Sequence, residues 1–149
     1  MTAISDDLAL GPVDQIGYVV ADLDASLPHY EALFGLFETG ATPLVEHAVH
    51  GQAVEFSLRL AVNRSGPIEI ELIQPVEGAS PHAEHLAQHG EGLHHVRFRA
   101  SDLDAKQAQL EAAGYRTVLY KRFGPGLAFA YLATPPALGG SLIELLEMP

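Results

Sequence analysis

The chain repeats itself at an offset of 80 residues. Residues 15–25 read QIGYVVADLDA and residues 95–105 read HVRFRASDLDA, so Asp22-Leu23-Asp24-Ala25 returns as Asp102-Leu103-Asp104-Ala105. Four identical residues are a weak signal alone. Here both copies follow an apolar, strand-like run and precede a helical pattern, and each is followed by a second match, IELIQP at 70–75 and IELLEMP at 143–149. Two copies of one unit, each ending in Ile-Glu-Leu and the second 7 residues shorter, restrict the chain to folds built by duplication.

Periodicity and punctuation give the elements of the unit. Residues 13–21 and 93–100 read as opening strands. After each strand an Asp can cap a helix by accepting from free N–H groups of the first turn. Leu23, Leu27, Tyr30 and Phe34 follow one helical face, Gly35 can stop the helix, and Pro28 is expected near the first turn; Leu103, Gln107, Leu110 and Gly114 play the corresponding parts later. Val54, Phe56, Leu58, Leu60 and Val62 alternate with Glu55, Ser57, Arg59 and Ala61, as in a half-buried strand. Further strands are expected near 44–50, 68–73, 115–120, 127–133 and 141–147, and a short helix near 82–89. The expected fold is α+β, one domain over 1–149: a βαβββ module at about 13–75, a linker helix at about 80–90, and a second βαβββ module at about 93–149, together forming a cupped, partly closed mixed sheet.

Side chains alternate faces along a strand, so parity decides which residues can share a site. Ile16, Tyr18 and Val20 form the apolar set of the first strand and leave Gln15 on the other face. In the same way Val96, Phe98 and Ala100 set His95, Arg97 and Arg99 apart; Ile68, Ile70 and Leu72 set Glu69 and Glu71 apart; Ile143 and Leu145 set Glu144 apart. A pseudo-twofold arrangement of the modules would gather Gln15, Glu71, His95 and Glu144 inside the cup. Taken singly, each is the kind of polar residue that ends a strand or faces water; their joint occurrence at matched repeat positions is what points to a site. Imidazole nitrogen, amide oxygen and two carboxylates suit Zn, Ni, Co, Mn or Mg and leave two positions of an octahedral ion free. The absence of cysteine excludes thiolate sites and disulfides.

A formal charge of −11 argues against nucleic acid or an anionic membrane as partner. No run approaches the ~18 apolar residues of a membrane-spanning helix, and MTAISDDLAL carries acids where a secretory signal carries bases, so a cytoplasmic protein is expected. The basic residues are uneven: Arg97, Arg99, Lys106, Arg116, Lys121 and Arg122 are six of the eight. Most read as solvated surface charge. Arg97 and Arg99, on the inner face with His95, either anchor a substrate oxygen or pair with Glu69 and the solvent rim.

Asp14-Gln15-Ile16-Gly17-Tyr18-Val19-Val20 followed by Asp22-Leu23, and the closing Gly140-Ser141-Leu142-Ile143-Glu144-Leu145, resemble the vicinal oxygen chelate, or glyoxalase-like, superfamily over nearly all of residues 13–147. That resemblance implies metal ligation by Gln15, Glu71, His95 and Glu144 and a homodimer. The stretch from Ser80 to Val96 is most similar to methylmalonyl-CoA epimerases, although those carry His where this chain has Gln15. It implies an epimerase or isomerase that moves a proton at a carbon next to a carbonyl, with a small-molecule substrate, Glu144 as base, and Glu71 or His50 as its partner. The epimerases' second acid falls near His50, with Glu46 and Glu55 close by in sequence. The order Gln, Glu, His, Glu is also similar to that of some glyoxalase I lyases, so a lyase of that kind or another metal-dependent lyase or hydrolase of the same fold is the second alternative, and a non-enzymatic small-molecule binding or resistance protein is the third.

Three remaining features have modest readings. His94 should point to the helix side in a core or capping role. His85 and His89 have i,i+4 spacing with no nearby acid to complete a metal set and read as solvent-facing. Phe123-Gly124-Pro125-Gly126 reads as a turn that could cover the cup.

Overall fold

Both copies of Asp-Leu-Asp-Ala begin a helix, and in the computed structural model, which describes residues 8–139 and 141–149, they do so in the same way. Asp22 caps α1 (Leu23–Phe34) by accepting from the Ala25 N–H at 3.2 Å, and Asp102 caps α3 (Leu103–Ala112) by accepting from Ala105 at 3.1 Å. Gly35, at φ 91°, closes α1 with its N–H on the Glu31 carbonyl. Pro28 is the sixth helical residue, one turn deeper than expected, so the Asp24 carbonyl loses its partner from position 28. The acidic residues through Asp7, and Gly140 of the closing motif, lie outside the described residues.

The strands are β1 (Val13–Val19), β2 (Glu38–Ala41), β3 (Val45–Val49), β4 (Gln52–Asn63), β5 (Glu69–Glu77), β6 (Gly92–Arg99), β7 (Arg116–Gly124), β8 (Leu127–Ala133) and β9 (Leu142–Glu147), with α2 (Pro81–His89) between β5 and β6. They form one mixed sheet in the order β2-β4-β3-β7-β8-β9-β6-β1-β5, and a β4–β5 pairing closes eight of them into a barrel. The expected cupped mixed sheet is thus present, with its closure made along β4–β5. The first unit also has a strand that periodicity did not reveal: β2, Glu-Thr-Gly-Ala, is exposed at every position and lies antiparallel along Glu38–Val62 to Ala41–Arg59 of β4.

Register carries the repeat into space. β1 runs parallel to β5 with Gly17 opposite Glu71, and β6 runs parallel to β9 with Arg97 opposite Glu144. β1 and β6 are antiparallel neighbours that pair Gln15 with Arg97 and Gly17 with His95. Outside the barrel, Val20, Ala61 and Leu72 pack under Leu23 of α1, and Ala128, Ala130, Leu132, Ile143 and Leu145 pack under Leu103 and Leu110 of α3. Inside, Phe56, Leu58, Val49, Ile73, Leu119 and Tyr131 form a third cluster. The alternating apolar residues of β4 therefore line the interior, and Ala61 on the opposite parity meets α1. Among the described residues no helix is long and apolar enough to cross a membrane.

Candidate metal centre

Parity and register deliver Gln15 from β1, Glu71 from β5, His95 from β6 and Glu144 from β9 to one point inside the barrel. His95 Nε2 lies 2.8 Å from Gln15 Oε1, 3.9 Å from Glu71 Oε1 and 4.0 Å from Glu144 Oε2. Gln15 and His95 are 1% exposed and Glu144 is 7% exposed. Room for the imidazole comes from Gly17: a Cβ there would stand 2.7 Å from both ring nitrogens of His95, closer than any real contact. The equivalent position in the second unit is Arg97, and the residue equivalent to His95 in the first unit is Gln15, so only one strand carries a ring here.

Neighbouring side chains orient each donor. Gln15 donates its amide N–H to Glu69 Oε1 at 2.6 Å, which turns Oε1 toward the centre; Glu69 is in turn held by Arg64 at 2.8 Å. His95 Nδ1 is 2.9 Å from Nδ1 of His94, so the two imidazoles must hold complementary tautomers. His94 is buried, as expected for a core role, but its contact with His95 makes it an orienting group as well. Its Nε2 is buried without a partner, as is Glu144 Oε2.

The electrostatics are those of negative charge without enough compensation. Burial, then the neighbouring Glu71, pushes the Glu144 carboxyl well above its ordinary range. Burial raises Glu71 to about 7, opposed by Arg97. Burial also holds His95 well below 6.5, hence neutral. Arg97 is 3.9 Å from Glu144 Oε2, yet its guanidinium is engaged by Asp14 at 2.9 Å and stands 3.7 Å from Glu69. A divalent cation would suit two opposed carboxylates and an orphaned carboxylate oxygen, and it would replace the hydrogen bond that His95 Nε2 donates to Gln15 Oε1. The donors are spaced more loosely than in a closed cage, and among the described residues no three His, Asp or Glu side chains form a cluster tight enough to hold a metal. Side-chain rotation of the two carboxylates would have to complete the coordination.

Glu71 and Glu144 open onto a cavity of about 540 Å³ whose walls include Val45, Phe56, Leu58, Phe129 and Tyr131. A second depression, about 550 Å³, lies over Gln107, Glu111, Tyr115 and Arg116 and has none of the four donors in its walls. Not every residue singled out in the sequence reaches the site. His50 sits in the β3–β4 turn at φ 50°, 3.0 Å from Glu84 and 3.1 Å from Arg116, on the outside. Arg99 is 46% exposed and 3.8 Å from Asp14; Glu46 and Glu55 are exposed. His85 is half-buried rather than solvent-facing, because its ring meets both His89 and His94. His47 escaped notice although Val45, His47 and Val49 share a parity: it is 7% exposed, lines the cavity and stacks on Phe56 at 3.9 Å. His82 and Tyr131, hydrogen-bonded at 2.9 Å, complete the polar wall.

The model of the Glyoxalase/Bleomycin resistance protein/Dioxygenase superfamily matches residues 14–131. The chain belongs to that superfamily. It is 30% identical over 141 residues to the uncharacterized protein YqjC of Bacillus subtilis (strain 168), covering 91% of each, and 26% identical to human mitochondrial methylmalonyl-CoA epimerase, covering 91% of this chain and 73% of the epimerase. Its structure is similar to that of Streptomyces coelicolor methylmalonyl-CoA epimerase in complex with 2-nitronate-propionyl-CoA, with a TM-score of 0.60, 29% identity, and coverage of 94% and 99%. As a superfamily member with this donor set at the floor of an apolar cavity, the chain has the parts for acid–base chemistry on a small molecule.

Proposed function

We propose that this chain is a divalent-metal-dependent enzyme that moves a proton at a carbon next to a carbonyl, an isomerase or epimerase related in chemistry to the epimerases it resembles. The observation that carries the reading is the convergence of Gln15, Glu71, His95 and Glu144 on one point, with Glu144 Oε2 buried and unpartnered at the base of the cavity. These four residues would hold the ion, one of Zn, Ni, Co, Mn or Mg. Such an ion supplies Lewis acidity where negative charge develops on the carbonyl oxygen.

The remaining work falls to the side chains. Glu144 takes the proton: the C–H bond breaks, its electron pair moves into the enolate, and the carboxylate becomes a carboxylic acid that can return the proton. Without an ion, burial favours the protonated form of Glu144, so the base role needs the divalent charge that would keep this carboxylate ionised. Glu71 or His47 is the second proton-exchanging group, in place of His50, which the fold carries outside. His47 Nδ1 donates to the Val45 carbonyl at 3.0 Å and burial keeps its pKa below the usual His value, so Nε2 offers a lone pair. Arg97 orients Glu144 and Glu69 through its ion pairs and does not line the cavity.

Metal analysis and deuterium wash-in test the proposal together. Protein purified without added ions should carry about one divalent ion per chain, and 2-substituted acyl thioesters or α-hydroxy ketones incubated in heavy water should exchange at the carbon next to the carbonyl. Metal-free protein with no exchange on either substrate class would instead support a binding or resistance protein.

A further inference from the structure

Charge at the proposed centre discriminates between substrates. Two carboxylates, Glu71 and Glu144, cancel the charge of a divalent ion, so a carboxylate entering as a further ligand would bring uncompensated negative charge into a buried site. The cavity offers no compensation: among the described residues its walls contain neither Lys nor Arg. Arg97, behind the ligands, is committed to Asp14 at 2.9 Å. Lys121, two residues from the wall residue Phe123, donates to the Glu46 carbonyl at 2.8 Å and sits over the Phe123 ring. What the walls do present is aromatic and aliphatic, with Phe56, Phe123, Phe129, Leu58 and Ile73 around the polar floor. The imidazole nearest those rings, His47, is already a hydrogen-bond donor to backbone, and burial disfavours its charged form.

We propose that the group bound in this cavity is an uncharged α-oxygenated carbonyl compound bearing an aromatic or branched aliphatic substituent, and that carboxylate-bearing acyl groups such as methylmalonyl are rejected. The proposal rests on the reading of the site given above, and it separates this chain from the epimerases it resembles.

The test is a matched ligand pair, 2-hydroxyacetophenone and benzoylformate, in which a carboxylate replaces the hydroxymethyl group beside the same benzoyl unit. Binding to the full-length chain is measured by ligand-observed NMR and calorimetry, with and without Zn, and methylmalonyl-CoA is run as a third ligand. The hydroxy ketone should bind at least about tenfold more tightly than benzoylformate, and Phe123→Lys, at a wall position 56% exposed, should narrow that gap by adding a cation. Equal or tighter binding of benzoylformate or methylmalonyl-CoA overturns the proposal, and so does failure of 2-hydroxyacetophenone to bind. If the chain takes up no metal, the functional reading fails; the preference measured on metal-free protein still reports on the cavity walls.

Discussion

Replacing Gly17 by Ala should damage the centre without touching any donor. A Cβ at position 17 would run into Cε1 of His95 and fall 2.7 Å from Nδ1 and Nε2, whereas ordinary contact begins near 3.4 Å, so the ring must retreat by ~1 Å or more. It has nowhere to go: His95 is 1% exposed, the Tyr131 ring lies 5.1 Å away centre to centre, and the His94 ring stands perpendicular at 5.2 Å. Overpacking of this kind costs about 1–3 kcal/mol. Displacing a ligand's ring by a fraction of an ångström should weaken divalent-ion binding by about 10–100-fold, the range seen when groups that orient ligands are removed. Urea unfolding of metal-free protein reads the first quantity; Co or Zn titration against a chelator reads the second. Gly40→Ala is the control, because a Cβ at that exposed position of β2 meets nothing within 4 Å; it should shift stability by less than about 0.5 kcal/mol. Wild-type stability and metal affinity in Gly17→Ala would refute the placement of His95 over β1, and with it the site.

Other perturbations follow from the same geometry. Glu71 has a folded-state pKa raised from 4.5 to about 7, so the folded chain holds its proton longer than the unfolded chain, and metal-free protein should lose stability as pH rises from about 4.5 through 7. Glu71→Gln should therefore match wild type near pH 4.5 and exceed it at pH 8, by up to about 3 kcal/mol in urea unfolding; equal pH profiles would show that Glu71 is not held in a desolvated site. Tyr131→Phe leaves buried His82 Nε2 without its 2.9 Å partner and should cost about 1–3 kcal/mol in thermal or urea unfolding. Arg99→Met should leave the Michaelis constant of any substrate found by deuterium exchange unchanged, given that Arg99 is 46% exposed and does not line the cavity. His47→Gln should slow that exchange with metal content unaltered, by about 10²-fold or more if the imidazole exchanges the proton; unchanged rates would leave Glu71 as the second group.

How much of the fold and site is legible in the amino-acid sequence depends on which physical rule is in force. Parity along a strand is a hard rule, and it places Gln15, Glu71, His95 and Glu144 on one side of four strands. Helix capping is nearly as firm, and Asp22 and Asp102 cap as expected. Tertiary pairing obeys no local rule. β2 is visible only as a partner of β4, since none of its four residues is buried and no apolar alternation marks it. Closure through β4–β5 is equally silent in sequence. His50 is displaced by a turn: His50 and Gly51 both have positive φ, 50° and 76°, as a two-residue hairpin between β3 and β4 requires, so the strand ends at Val49. Parity applied from Val45 to Val49 puts His47 inside.

The asymmetry between the two units is where duplication became a site. Positions 17 and 97 are equivalent in the paired registers, facing Glu71 and Glu144 respectively. A glycine at both would leave room for two large donors but no positive charge; an arginine at both would fill the space now occupied by the His95 ring. With Gly17 on one side and Arg97 on the other, His95 gains its place over β1, and the guanidinium stands 3.9 Å from Glu144 while bound to Asp14. That leaves Glu144 shielded from Glu71 only in part, and its Oε2 still unpartnered. Filling both positions symmetrically would abolish either the imidazole or the partial charge balance, so Arg97→Gly should raise the destabilisation caused by ionised Glu144 and make the metal-free fold more dependent on added divalent ion, an outcome that thermal unfolding with and without Zn can measure directly.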